Sequence, residues 1–168
     1  YAVVNIPMEE MSQLKDDHHE VSMVHFRDQH ENEPLELKIG FSFVSIENAK
    51  MNMEEEVLNK SFQQVVDEAN EEWNRLLSHI EVKGGTERQK GIFYSTLYRS
   101  FLWPALRSDV NGDFTDERGD VVNQGFHYYT NPSFWDDYRN KLVLLAMISP
   151  DVTTDVIKSI IDKGEKRG

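Results

Sequence analysis

Leu35-Glu36-Leu37-Lys38-Ile39-Gly40-Phe41-Ser42-Phe43-Val44-Ser45-Ile46-Glu47-Asn48-Ala49 is where the chain changes character. Up to Phe43, apolar and polar residues alternate with the two-residue period of a strand that buries one face. Ser45 then stands where an N-cap belongs, ahead of a segment rich in Glu and Met, and predicts a helix from Ile46 to about Leu58. The chain reads as β before this junction and as α after it. Strands first and helices afterwards define an α+β fold.

Upstream, Tyr1-Ala2-Val3-Val4 has the composition of a strand end, and Val21-Ser22-Met23-Val24-His25-Phe26 alternates again. The stretches from Pro7 to Glu20 and from Arg27 to Pro34 are polar and acidic and read as connections. Three strands with one apolar face cannot close a core. They are expected to be the last strands of a larger sheet or β-sandwich.

Downstream, Ser61 with Gln64 forms a capping box before Phe62, Val65, Ala69, Trp73, Leu76, Leu77 and Ile80, an amphipathic helical stripe. Gly84-Gly85 closes that unit. Thr86 with Gln89 opens the next helix, which carries Ile92, Phe93, Leu97, Phe101 and Leu102 and is stopped by Pro104. Residues Asp109 to Val122 read as a turn at Asn111-Gly112 with a short hairpin. Ser149-Pro150 starts a last helix with Val152, Val156, Ile157, Ile160 and Ile161 inward and Gly164 at its end. Helices are thus expected near 46–58, 61–80, 86–103, 134–148 and 150–163. The chain divides into 1–45, strands of a sandwich; 46–85, linker helices; and 86–168, the start of a helical domain.

Composition narrows the function. A net charge of −12 over 168 residues argues against nucleic acid, since phosphate binding needs clustered Lys and Arg. No apolar run reaches the length of a membrane span, so no membrane partner is expected. With no cysteine, disulfides, thiol catalysis and thiolate metal sites are excluded. The first residue is Tyr1 and not Met, and the sequence reads as a piece of something longer.

Chemistry-bearing residues are densest in Tyr128-Tyr129-Thr130-Asn131-Pro132-Ser133-Phe134-Trp135-Asp136-Asp137-Tyr138-Arg139. Asn131-Pro132 breaks the chain, Ser133 stands as an N-cap, and Trp135, Tyr138, Leu142 and Leu145 come next at helical spacing. Asp136, Asp137 and Arg139 then lie in the first turns of a helix. An indole, a carboxylate and a guanidinium side by side suit a sugar, with the ring on the indole and charged groups on vicinal hydroxyls. The structural alternative is that Ser133-x-x-Asp136 is a capping box, Asp136 and Arg139 a surface ion pair, and Trp135 core. Asp109, Asn111, Asp113 and Asp120 have some of the spacing of a calcium loop, but its glycine and glutamate positions hold Phe114 and Asp120. His18-His19 lacks a third ligand at fixed spacing, His127 reads as a surface or packing residue, and Trp73 as core.

Taken in order, several of these segments resemble family 92 glycoside hydrolases. Lys38 to Ala49 is similar to the junction after that family's N-terminal β-sandwich. Trp73 to Ile80, Gly84 to Lys90 and Phe93-Tyr94-Ser95-Thr96-Leu97-Tyr98-Arg99-Ser100 are similar to the entry into its helical domain. Ser108 to Phe114 and Ser133 to Arg139 come at the expected places. The resemblance implies a calcium-dependent, inverting exo-α-mannosidase built from a sandwich and an (α/α)6 barrel. It implies that Trp135, Asp136 and Arg139 line the terminal-mannose subsite. The family's general acid, general base and calcium ligands lie on later helices, so no catalytic residue and no metal ligand is expected here. Where many members carry His-Pro after the arginine, Asn140-Lys141-Leu142-Val143 stands.

Physical argument points the same way. An inverting glycosidase sets two carboxyls about 6.5–9.5 Å apart across the bond. Asp136 and Asp137, adjacent on a helix, point about 100° apart. The resemblance implies an α-mannosidase fragment acting within the longer protein on mannose-containing glycans and exported to the periplasm or cell exterior, and the carboxylate geometry implies that this piece is inactive alone. The alternative is a non-catalytic α+β carbohydrate-binding or interaction module. The opening helices of an incomplete barrel should leave apolar stripes uncovered, to be met by the remainder of the chain or by self-association.

Overall fold

The computed structural model describes residues 1–5, 8–16, 19–26 and 34–167. At the junction the chain behaves as its pattern dictates. Strand β4 (Leu37–Ile39) pairs antiparallel with β1 (Ala2–Val4), with Val3 opposite Lys38. The expected strand is cut short at Gly40, which is buried against the first helix, α1 (Ile46–Met53). A Cβ on Gly40 would lie 2.0 Å from the Ala49 carbonyl oxygen. Ser45 is extended and its Oγ accepts from Asn48 N at 3.0 Å, the cap its position predicts. Beyond Met53 the helix widens into a π-helix over Glu54–Leu58. Lys38 Nζ donates to the carbonyls of Leu58 (2.8 Å) and Lys60 (2.6 Å), satisfying acceptors that a helix end leaves open.

Residues 7–20 correct the sequence reading. Met8–Lys15 is not a connection but a strand, β2, paired antiparallel with β3 (Glu20–Phe26) and bulged between Met8 and Glu10. Its apolar residues recur every third position, so no two-residue period announces it; the ladder to β3 holds it extended. Met11, Leu14, Val21, Met23 and Val24 are all exposed. Among the described residues the strands form three separate two-stranded ladders.

Both capping boxes form in full. Ser61 and Gln64 open α2 (Phe62–Leu77), and Thr86 and Gln89 open α3 (Glu87–Phe101). Tyr94 Oη accepts from Val82 N at 3.2 Å and donates to the Ile80 carbonyl at 3.3 Å, fastening the link between them. Trp73 meets Tyr98 at a ring distance of 4.4 Å, in keeping with a packing role, although α2 buries no residue fully. Past α3, a cis Trp103–Pro104 bond leads into the hairpin β5 (Phe114–Thr115) and β6 (Val121–Val122). Its turn is at Glu117–Gly119, with Gly119 at φ +88°; Asn111-Gly112 makes a separate turn ahead of β5.

The expected helix 134–148 is two, α4 (Phe134–Asp137) and α5 (Lys141–Ile148). Asn140 leaves helical angles and its side chain accepts from Lys141 N at 2.8 Å, starting the helix afresh. The last helix, α6 (Pro150–Arg167), runs through Gly164. Its last turn is held by Lys166 on Asp116 (2.6 Å) and Asp162 (2.9 Å), and by Arg167 on Glu117 (2.6 Å).

That helix is rotated by part of a turn from the expectation, with Val156 buried as expected and Ile160 half-buried. Thr153, Val156, Ser159, Asp162 and Lys163 are buried, whereas Val152, Ile157 and Ile161 face outward. Hydrogen bonding decides it: Ser159 Oγ accepts from Tyr129 N at 3.0 Å, and Asp162 from Gln124 Nε2 at 3.0 Å. The small core centres on Phe114, stacked on Tyr128 at 3.9 Å, with Leu97, Leu145 and Val156 also buried.

Candidate functional site

The Ser133–Arg139 segment is presented openly. Trp135 is 85% exposed, and Phe134, Asp136, Tyr138 and Arg139 are exposed with it, so the core reading of Trp135 fails and the indole face is free. Capping differs in detail from the sequence pattern. Ser133 Oγ caps no backbone N–H; it donates to Asp136 Oδ2 at 2.6 Å, while Ser133 N donates to Asp137 Oδ2 at 3.0 Å. Asp137 is buried and paired with Lys141 at 3.3 Å. The two neighbouring carboxylates are thus divided, one structural and one facing solvent. Asp136 and Arg139 do not pair: Arg139 Nε donates to the Tyr138 hydroxyl, and its guanidinium lies 5.2 Å from that ring's centroid. Trp135 and Asp136 on α4 and Arg139 just past its end are therefore each open to solvent. The loop before it is fixed by Trp103 Nε1 on the Asn131 carbonyl (2.8 Å) and Ala105 N on Thr130 Oγ1 (2.8 Å).

The calcium-like residues do other work. Asp109 is buried and accepts from Ser42 Oγ (2.7 Å), Asn48 Nδ2 (2.8 Å) and Asn52 Nδ2 (2.7 Å). It binds the β-to-α junction to the loop that feeds the hairpin. Asp113 accepts from Asn111 at 2.6 Å and Asn123 at 3.2 Å, and these amides hold its carboxyl below the usual range. Asp120 belongs to the hairpin turn, its N–H on Asp116 at 3.0 Å. Among the described residues no group of three His, Asp or Glu side chains is gathered to hold a metal. The chain's residues here do not fit a calcium site. His18 lies outside the described residues; His19 is exposed, 3.4 Å from Asp16. His127 is exposed and contributes backbone only, its N–H on Asp155 at 3.1 Å.

One grouping escaped the sequence. Arg107, Arg118, Lys163 and Arg167 line a common cavity beside the β5–β6 hairpin. Nothing in a linear pattern links residues separated by the hairpin and three helices.

An open indole, carboxylate and guanidinium within one segment are groups that suit a sugar. The family comparison makes this specific. The family model described as the glycosyl hydrolase family 92 catalytic domain matches residues 48–168, and the chain belongs to that family. No curated protein matches it. Among solved structures it is similar to the family 92 inverting mannosidase BT2199 of Bacteroides thetaiotaomicron, at 29% identity and TM-score 0.83 over 95% of this chain and 24% of that one. It is also similar to the family 92 glycosyl hydrolase CcMan5, at 26% identity and TM-score 0.82, over 95% and 23%. The family 92 α-mannosidase BT3965 of the same Bacteroides species shares the fold at 24% identity, with TM-score 0.70 over 79% of this chain and 17% of that one. The chain spans about a quarter of the length of the first two.

Proposed function

We propose that the protein carrying this chain removes terminal α-linked mannose from mannose-containing glycans with inversion, and that Trp135, Asp136 and Arg139 form part of the wall against the terminal sugar. The observation that carries this is the open Trp135 indole in one segment with an exposed Asp136 and Arg139 that do not pair with each other, in a chain 29% identical to an inverting mannosidase. The indole offers an apolar face to the sugar ring, and the two charged groups offer hydrogen bonds to its hydroxyls. In this reading residues 1–45 are the last strands of a β-sandwich, 46–85 a linker, and 86–168 the opening of an (α/α)6 barrel. Calcium belongs to the proposal for the full-length enzyme alone, and nothing asked of these residues runs through it. Export to the periplasm or cell exterior belongs to it as well.

Chemistry by this stretch alone is not part of the proposal. Asp137 is buried on Lys141, so of the two neighbouring carboxylates only Asp136 faces solvent, whereas inversion needs two carboxyls flanking the bond. In the full-length protein, Trp135→Ala and Arg139→Gln are each expected to lower kcat/KM on an α-mannoside by roughly tenfold or more with the fold intact. NMR of fresh product should show β-mannose first. Wild-type rates in both variants would remove these residues from the subsite. Mannoside binding with no turnover by the full-length protein would favour the non-catalytic module instead.

A further inference from the structure

Enclosed by the β5–β6 hairpin, the 128–131 segment and the end of α6 is a cavity of about 560 Å³. Four cations line it in a chain whose net charge is −12. Its two carboxylates are already engaged. Asp116 holds Lys166 at 2.6 Å and accepts from the N–H groups of Arg118 (2.8 Å) and Asp120 (3.0 Å). Glu117 takes both Nη2 (2.6 Å) and Nε (2.9 Å) of Arg167. Arg107, Arg118 and Lys163 remain, and none of them forms an ion pair among the described residues.

Lys163 is the sharpest of these. It is only 7% exposed, its ammonium donates to the Tyr129 carbonyl, and it stands 4.7 Å from the centroid of the Tyr128 ring. Burial pulls its pKa down, the like charges of Arg107 and Arg167 add to that, and Glu117 and Asp162 offset it only in part. A buried ammonium among guanidinium groups is costly without an anion to compensate it. Arg107 is held in place by its guanidinium over the Phe43 ring at 4.0 Å, and Arg118 rides on the tight hairpin turn. The Tyr128 hydroxyl, buried in the same wall, makes no well-aligned hydrogen bond. Guanidinium forks with an ammonium between them match the oxygens of a tetrahedral oxyanion.

We propose that this cavity binds a small oxyanion of the phosphate or sulfate type, free or as the ester group of a larger molecule, held by Arg107, Arg118 and Lys163. The site stands apart from the mannoside reading, which rests on Trp135, Asp136 and Arg139.

The test is calorimetric titration of the full-length protein carrying this chain with inorganic phosphate, sulfate and methyl phosphate, with sodium chloride fixed. Saturable binding of phosphate or sulfate is expected, weakened about tenfold in Arg107→Gln and in Arg118→Gln. Methyl phosphate binding as well as phosphate assigns the site to esters; failure of methyl phosphate alone assigns it to the free anion. Arg118 lies on an exposed turn, so its variant tests the site even if Arg107→Gln does not fold. Lys163→Met should abolish the rise in Tm that phosphate gives the wild type. Absence of saturable binding to the folded protein, or equal affinity in the wild type and Arg118→Gln, overturns the proposal.

Discussion

Gly40 shows how closely the junction is fitted. An added methyl there would meet the Ala49 carbonyl oxygen at 2.0 Å and Met53 Cβ at 2.8 Å, backbone and core that have little room to yield. Gly40→Ala should destabilise the chain by about 1–3 kcal/mol, the usual cost of overpacking, read as a lower urea midpoint; an unchanged midpoint would mean α1 is not seated there. Charge gives a second test at this scale. The Lys166 hydrogen bond, against the opposing effect of desolvation, holds the Asp116 carboxyl below its ordinary value of 3.8. A depressed carboxylate contributes stability above its unfolded pKa and loses it as pH falls through the folded one. Lys166 has the opposite sign. Burial opposes its charge, Asp116 and Asp162 outweigh that, and its contribution is present below 10.5 and lost at higher pH. The Tm gap between wild type and Asp116→Asn should therefore be full near neutral pH and shrink below about pH 4. A gap that persists in acid would rule out the pairing. None of this was visible in the sequence, because Asp116 and Lys166 are neighbours only after the hairpin folds back on α6. Asp109 appeared there as half of a calcium motif for the same reason: its three donors come from residues 42–52.

Among the elements, local chemistry made helix starts readable and left breaks obscure. Ser45, Ser61 and Thr86 cap where serine and threonine before a helical stripe should cap, with Gln64 and Gln89 closing two boxes. Thr86→Ala removes an acceptor that no neighbour replaces and should cost about 0.5–2 kcal/mol, while Thr86→Ser should be near neutral; equal losses in both would mean the hydroxyl is not the cap. The break between α4 and α5 was hidden because apolar spacing continues across it. Only Asn140, capping Lys141, marks the restart. Strand β2 was hidden because none of its described side chains is fully buried, so no two-residue pattern was needed. The rotated face of α6 has a similar origin: periodicity placed Val156 correctly but could not tell that Ser159 and Asp162 have hydrogen-bond partners that turn Ile157 and Ile161 outward.

At the scale of the whole molecule, the uncovered helix faces have a measurable consequence. The chain exposes 12364 Å² of surface, whereas a compact monomer of 19.6 kDa exposes about 8,600 Å². The excess, roughly 3,800 Å², is more than one partner commonly gives up in an obligate interface. Much of it is apolar, and it is spread over recognisable faces: Phe62 on α2, Ile92 on α3, Met147 on α5, and Ile157 and Ile161 on α6. Each such side chain is worth about 1.5–3 kcal/mol once covered, so an uncovered stripe drives association. The chain in isolation is expected to self-associate, giving a light-scattering mass above that of a monomer at micromolar concentration, together with strong binding of an apolar dye. Ile157→Glu with Ile161→Glu changes only outward positions, so it should shift the mass toward monomer while leaving the melting transition nearly in place. In the full-length protein the same pair should instead lower the melting temperature, because there the stripe is expected to be covered and charge would be buried in it. A dilution-resistant monomer that binds no dye would mean that these faces are closed in solution. The reading of the helices as the opening of a barrel would then fall.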